Sequence, residues 1–243
     1  MSRIKKLEIH LEIDEPGSES ILLKADSFHI KEYNGAYLIE LENAIILRDY
    51  PLEHGSLLFV KTNVGSSIMS IYCLEKQHLL QREKPQPICI KAESGWIRAD
   101  FCSFYLDLIK SWSDREQKYN WRDLSIFKKR VWLNACLDWN GLQQTINSSD
   151  KELIIDCSII NSKMDVYCLI GETFLGYSGY MGWNLDALVD CLRCLKNKNE
   201  FSIHFKNFRH LKTFDIPYYK FANENFSNHL MDIFKKHMVA TFE

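Results

Sequence analysis

The sequence predicts a β-rich N-terminal domain, a sandwich or barrel-like sheet with some helix, followed by a smaller α/β domain. Three observations support this prediction. Short apolar runs with period-two alternation, separated by turn residues, fill residues 1–110. From about residue 100 onward, the apolar residues follow helical spacing instead of that alternation. After residue 150, short apolar strands alternate with helical segments, which favours a small sheet with parallel strands.

The N-terminal domain contains a series of short strands. They are predicted at residues 7–13, 20–23, 37–47, 57–62, 67–74, 88–92 and 96–101. Asn34-Gly35 between apolar runs is typical of a tight hairpin. Helices follow, one through Phe104 and Trp112 and one at residues 124–137. The basic run Lys128-Lys129-Arg130 is predicted to line the solvent side of that second helix, with RNA contact as the minor alternative.

A polar segment without periodicity, residues 142–150, is predicted to be a linker. It divides the chain into an N-terminal domain of unknown role, residues 1–141, and a C-terminal domain, residues 151–243. Because the second domain carries a complete alternating α/β set, we expect it to fold without the first 150 residues.

The C-terminal domain begins with a short buried strand, and two polar residues are placed to cap its first helices. Ser162 precedes a helix with one apolar face, and Asn184 precedes a helix with a stripe of leucines. The remaining elements are predicted as a strand at 200–205, helices at 207–214 and 226–237, and a last strand at 239–243.

Composition excludes several classes of protein. Hydrophobic residues make up 46% of the 243 residues and the formal net charge is -2, which does not fit a disordered chain or a general nucleic-acid binder. No apolar run approaches the ~20 residues that cross a bilayer, and the N-terminus lacks the apolar core of a signal peptide. Most of the eight cysteines sit in apolar stretches, as buried thiols do in a reducing compartment. We therefore predict a cytoplasmic protein without a membrane partner.

No catalytic or metal-binding pattern stands out in the sequence. H-E-x-x-H, G-x-S-x-G, P-loop and Rossmann glycine patterns are all missing. Cys191 and Cys194 form a C-x-x-C, but no second pair of ligands follows, and no strand precedes it as in a redox motif. We predict no enzyme activity, no metal and no cofactor.

Two carboxylates stand one turn apart in the helix that follows Asn184. Asp186 and Asp190 share one face, while the leucines occupy the other. Residues 151–190 hold two basic and six acidic residues, so this stretch has an acidic surplus. An outward pair of carboxylates can occupy a site that binds phosphate through Arg, Lys and His. The structural alternative is a helix-dipole role for Asp186 and an ion pair of Asp190 with Arg193.

Residues 179–192, GYMGWNLDALVDCL, resemble the signature of the barstar family. In that family, Tyr-Tyr-Gly-x-Asn-Leu-Asp-Ala-Leu-Trp-Asp-Cys-Leu closes a loop and opens the second helix. The resemblance extends over residues 151–243, with 153–158 at the first strand and 201–208 at the second. It implies a compact α/β domain with a three-stranded parallel sheet. It also implies an intracellular immunity protein, as in bacterial toxin–antitoxin pairs, that blocks the active site of a cognate ribonuclease toxin.

The resemblance implies a set of partner-binding residues: Tyr180, Gly182, Asn184, Asp186 and Asp190. The two aspartates are the main acids, and the ring of Tyr180 is expected to pack where a base would stack.

The sequence departs from the family pattern at three places. Met181 replaces the second loop Tyr, Val189 replaces the helix Trp, and Lys235-Lys236 stand where the family often contributes an acid. These departures keep a second hypothesis open, a non-catalytic regulatory or scaffold protein whose barstar-like domain binds a non-nuclease partner. A third hypothesis is an enzyme within residues 1–150, but no pattern of catalytic residues in the sequence supports it. Two roles are open for the N-terminal domain: additional contacts with the partner, or self-association of the chain.

Overall fold

The chain divides into two compact units, Met1–Lys118 and Tyr119–Glu243. The computed structural model describes residues 8–13, 21–33, 36–64, 67–81, 84–94, 99–214 and 225–243. The described elements of the first unit are β1 (Ile9–Ile13), β2 (Ile21–Ala25), β3 (Ser27–Tyr33), β4 (Ala36–Ile46), β5 (Tyr50–Leu52), β6 (Leu57–Thr62), β7 (Ser67–Cys73), β8 (Gln77–Leu79), β9 (Gln86–Ser94) and α1 (Ala99–Ser113).

Six antiparallel strands of the first unit close into a barrel-like ring. The order is β2-β1-β6-β7-β9-β4, and β2 pairs with β4 through Leu23 and Ile46 to close it. Strand β3 extends the sheet by pairing with β4, and β5 and β8 form a separate two-stranded sheet. Buried residues alternate with partly exposed ones along β1, as the period-two pattern predicts. The predicted β-rich, barrel-like N-terminal fold is confirmed.

Local predictions in the first unit have mixed outcomes. The strand predicted at 96–101 is wrong where it can be compared, because α1 begins at Ala99. Cys102, Leu108 and Ile109 are buried along that helix, so helical spacing decides the structure there. Residues 95–98 lie outside the described part, as does the Asn34-Gly35 turn, although Tyr33 and Ala36 on either side of it are paired.

The second unit combines two N-terminal helical segments with an α/β core. Its described elements are a 3₁₀ helix (Trp121–Asp123), α2 (Ile126–Asn140), β10 (Glu152–Asp156), a 3₁₀ helix (Cys157–Ile159), α3 (Lys163–Leu175), α4 (Leu185–Cys194), a 3₁₀ helix (Lys198–Glu200), β11 (Ser202–Lys206), a 3₁₀ helix (Phe208–Phe214), α5 (Phe226–His237) and β12 (Val239–Phe242).

A three-stranded parallel sheet in the order β10-β11-β12 lies at the centre of the second unit. Alternate residues of β10 and β11, such as Leu153 and Phe205, are buried. The rings of Phe205 and Phe234 lie 4.9 Å apart, so α5 packs on the sheet through aromatic contacts. The parallel sheet and its helices confirm the α/β prediction for the C-terminal region.

The division between the units falls before the predicted linker, because α2 packs against α3 and thus belongs to the second unit. Segment 142–150 is also attached to this unit. Ile146 is buried, and its N–H donates to Asn197 Oδ1 at 2.9 Å while Asn197 Nδ2 donates to the Ile146 carbonyl at 3.1 Å. The Lys196 N–H donates to the Gln144 carbonyl at 2.8 Å. The sequence from Tyr119 to Asp150 therefore forms an N-terminal extension of the α/β core.

Candidate partner-binding site

Helix α4 presents a pair of carboxylates to solvent. The Asn184 side chain caps the helix by accepting a hydrogen bond from the Ala187 N–H at 2.7 Å, as predicted. Leu188 and Leu192 are fully buried and fix the inner face of the helix. Asp186 and Asp190 are exposed on the outer face, about one turn apart. The sequence pattern therefore predicts the orientation of both acids correctly.

The two acids have different neighbours. Asp190 lies 3.5 Å from Arg193 Nη1, with 73% of the Asp190 side chain exposed and 62% of the Arg193 side chain. An ion pair this open contributes little to stability. Asp186 forms no ion pair with any other residue that the structure describes, although its place in the first turn is favoured by the helix dipole. Both carboxylates are thus accessible to a partner.

Gly182 allows the preceding loop to lie against the start of α4. Its φ is +97°, a conformation that side-chain-bearing residues rarely adopt. A Cβ atom at this position would lie 2.5 Å from the Leu188 nitrogen and 2.8 Å from the Ala187 carbonyl carbon. Gly182 is therefore required for the close approach of loop and helix, and it positions the face that carries the aspartates.

The interior end of the same loop is held by α3 and α2. Gly171 of α3 and Gly179 of the loop approach each other so closely that a Cβ on either would collide with the other's carbonyl oxygen. Ser178 has a φ of 59°, and Asn140 Nδ2 donates to its carbonyl at 2.8 Å and to its hydroxyl at 3.1 Å. The loop is fixed between two helices, and one of them lies in the extension.

Tyr180 and Met181, by contrast, point into the interior. Tyr180 is 5% exposed and Met181 is 1% exposed. Burial, with smaller contributions from neighbouring groups, raises the pKa of the Tyr180 hydroxyl to about 12. The Tyr180 ring therefore supports the loop from inside, and the half-buried aromatic residue next to the cap of α4 is Trp183. Met181, a departure from the family pattern, lies under the surface.

Helix α2 touches the loop at two aromatic contacts that the sequence does not reveal. The Arg130 guanidinium lies 4.0 Å from the centre of the Trp183 ring. The rings of Trp132 and Tyr177 meet edge to face, 5.4 Å apart. The sequence does not predict the contact between Arg130 and Trp183, because the two residues are 53 positions apart and lie in segments that no pattern connects.

A buried ion pair joins the extension to α3. Lys129 Nζ lies 2.6 Å from Asp165 Oδ1, with only 8% and 1% of the two side chains exposed. Asp165 also accepts hydrogen bonds from the Ser162 hydroxyl at 2.7 Å and the Asn161 N–H at 2.8 Å. The prediction that Lys129 lines the solvent side of its helix is wrong, because its charge is paired in the interior.

Basic groups gather at the carboxyl ends of α4 and α5. Lys235 and Lys236 are exposed, and Lys198 Nζ donates to the Leu192 carbonyl at 2.8 Å. Burial lowers the pKa of His237, and the nearby charges of Lys198, Arg193 and Lys236 lower it further. The candidate site thus has an acidic part on α4 and a basic border.

The cysteines do not form a reactive centre in this region. Six of the eight are buried, and Cys89 and Cys194 are exposed. Burial raises the pKa of Cys191 to about 12, which keeps this thiol protonated near neutral pH. Among the described residues, no group of three or more His, Cys, Asp or Glu side chains is arranged to hold a metal ion. None of the described helices is long and apolar enough to span a bilayer.

Comparison with known proteins finds a family match within the second unit. The chain matches no curated protein and no solved structure. The extension before residue 151 lies outside the family match, although it packs on the matched part. The resemblance of the C-terminal region is confirmed, because residues 151–235 match the family model described as Barstar (barnase inhibitor).

Proposed function

We propose that this chain is an intracellular immunity protein whose second unit binds and blocks the active site of a cognate ribonuclease toxin. Cytoplasmic location and the absence of catalysis by the chain itself belong to the same proposal. The observation that carries it is the exposed pair Asp186 and Asp190 on a helix whose other face is buried, within a segment that matches barnase inhibitors.

Inhibition would follow from charge and rigidity. A ribonuclease holds the phosphates of its substrate with cationic side chains. The two carboxylates of α4 offer the same negative charge as those phosphates, at fixed positions. The Asn184 cap, Gly182 and the buried leucines orient α4 before binding, so little conformational entropy is lost when the complex forms. The acidic surplus of residues 151–190 would speed the encounter with a basic cleft.

One observation favours the alternative, a regulatory protein with a non-nuclease partner. Lys236 is exposed on α5 where the family often contributes an acid, and Arg193 and Lys198 add positive charge nearby. A basic border would repel the cationic rim of an ordinary ribonuclease cleft. The ribonuclease hypothesis is retained because Asp186 and Asp190, the two main acids, are present and accessible.

The direct test is an inhibition assay with barnase, the enzyme for which the matched family is described. RNA hydrolysis by barnase is expected to fall as the full chain is added, reaching its minimum near one chain per enzyme molecule. The chain alone is expected to hydrolyse no RNA. Unchanged barnase activity at micromolar concentrations of the chain, together with no bound ribonuclease after purification from its own cells, would favour the alternative.

Asp190→Ala should separate binding from stability. We expect a near-neutral change in the free energy of unfolding, because the substitution removes repulsion from Asp186 and loses only the open contact with Arg193. In the complex, loss of this carboxylate would leave cationic groups unpaired, so affinity for barnase should fall by ~2–5 kcal/mol. Isothermal titration and urea unfolding measure the two quantities.

Leu188→Ala is the matched control on the inner face of the same helix. Leu188 is fully buried, so this change should lower the free energy of unfolding by ~2–5 kcal/mol. If Asp190→Ala destabilises the free protein as strongly as it weakens binding, the carboxylate has a structural role and the proposed site is incorrect.

A further inference from the structure

Helix α2 exposes a group of residues that the fold of the second unit does not bury. Ile126 is 63% exposed and Phe127 is 42% exposed, so two adjacent large apolar side chains reach the surface at the start of the helix. Arg130 follows them by four and three positions, so the three residues share one face of α2. The opposite face is buried through Trp132 and Ala135. We refer to Ile126, Phe127 and Arg130 as the α2 face.

The α2 face borders the loop that leads into α4, the helix with the two aspartates. The Arg130 guanidinium covers the Trp183 ring at 4.0 Å, and Trp183 immediately precedes Asn184, the cap of α4. Asp186 lies in the first turn beyond that cap. A partner that covers both Asp186 and the loop before α4 would therefore also meet Trp183 and the α2 face.

We propose that the α2 face is a second part of the interface with the ribonuclease, supplied by a segment that lies outside the barstar match. This inference rests on the proposed function. The surface that contacts the α2 face is the rim of the same ribonuclease, next to its basic cleft. This rim carries apolar side chains and a carboxylate. The α2 face would thus determine which ribonuclease the chain recognises.

The chemistry of the α2 face fits such a contact. Arg and aromatic side chains are enriched among the residues that dominate protein–protein affinity, and apolar side chains at a rim exclude water around them. Arg130 forms no ion pair with any other residue in the described part of the chain, so its guanidinium can bind a carboxylate while it stays stacked on Trp183. The stacking reduces the side-chain entropy that binding would otherwise remove.

Matched charge reversals in the full chain test this inference, with barnase as the probe. Lys128 is exposed and points about 160° away from Arg130 around the axis of α2. Arg130→Glu and Lys128→Glu change the net charge equally, so long-range attraction to a basic enzyme changes equally in both. We expect Arg130→Glu to weaken barnase binding by about tenfold or more, and Lys128→Glu to leave it unchanged or slightly tighter.

Ile126→Ala with Phe127→Ala provides a second variant without a change of charge. These side chains are exposed, so the thermal unfolding temperature should stay near that of the unchanged chain, while binding of barnase weakens by about tenfold. Equal affinities of the Arg130→Glu, Ile126→Ala/Phe127→Ala and unchanged chains would overturn the inference if Asp190→Ala still weakens binding. No effect of Asp190→Ala, or no binding of barnase together with no bound ribonuclease after purification from its own cells, would instead remove the proposed function and this inference with it.

Discussion

A fragment of residues 119–243 is expected to fold cooperatively, whereas a fragment of residues 151–243 is expected to be unfolded or molten. The sequence alone predicts that the second fragment folds, because it follows the polar segment 142–150, and it begins where the family match begins. The packing of α2 reverses that expectation. The second fragment lacks α2, which packs against α3 and whose buried Trp132 ring meets the ring of Tyr177. The extension therefore supplies part of the core that the α/β elements need.

The loss of stability expected on removal of α2 is large. Each fully buried large apolar side chain contributes about 1.5–3 kcal/mol, and Val131, Trp132 and Leu133 are at most 2% exposed. The shorter fragment also lacks Lys129, so the carboxylate of Asp165 loses its cationic partner. Whole domains are stable by only ~5–15 kcal/mol, so these losses together are comparable with the entire stability.

Circular dichroism and urea unfolding of the two fragments check this expectation. The longer fragment should show one cooperative transition and should inhibit barnase as the full chain does. The shorter fragment should bind a hydrophobic dye and unfold without a clear transition. A cooperative transition in residues 151–243 with a midpoint near that of the longer fragment would show that α2 is dispensable.

The sequence predicts those features that depend on local periodicity. Alternation identifies most strands of the barrel, and the spacing of Leu188 and Leu192 places Asp186 and Asp190 on the outer face of α4. The caps Ser162 and Asn184 are also correct, because capping involves residues only three positions apart.

Features that depend on distant contacts are missed. Strand β3 lies at the end of the seven-stranded order, and its polar residues alternate with few apolar ones. Segment 142–150 has the composition of a linker, yet Asn197 anchors Ile146 through two hydrogen bonds. Tyr180 sits in a motif that implies a surface contact, and only tertiary packing places its ring inside. No pattern within ten or fifteen residues contains this information.

The second large effect is expected for Lys129→Met, which should destabilise the second unit by about 3–5 kcal/mol. Methionine keeps much of the apolar stem of lysine and removes the ammonium group that lies 2.6 Å from Asp165 Oδ1. The hydrogen bonds from Ser162 and Asn161 to Asp165 would remain, but they leave its charge uncompensated in the interior. Lys128→Met is the control, since Lys128 is exposed and a surface change of this kind typically shifts stability by within ~0.5 kcal/mol.

A double variant distinguishes loss of the ion pair from loss of packing. In Lys129→Met/Asp165→Asn no charge is left in the interior. The amide oxygen of Asn can accept the hydrogen bond from the Asn161 N–H, and its amide N–H can donate to the Ser162 hydroxyl. The destabilisation of the double variant should therefore be smaller than the sum of the two single changes, by about 0.5–3 kcal/mol. Urea unfolding of the 119–243 fragment, followed by tryptophan fluorescence, gives all four free energies. Additive single changes would mean that Lys129 supports the fold through its apolar stem and not through its charge.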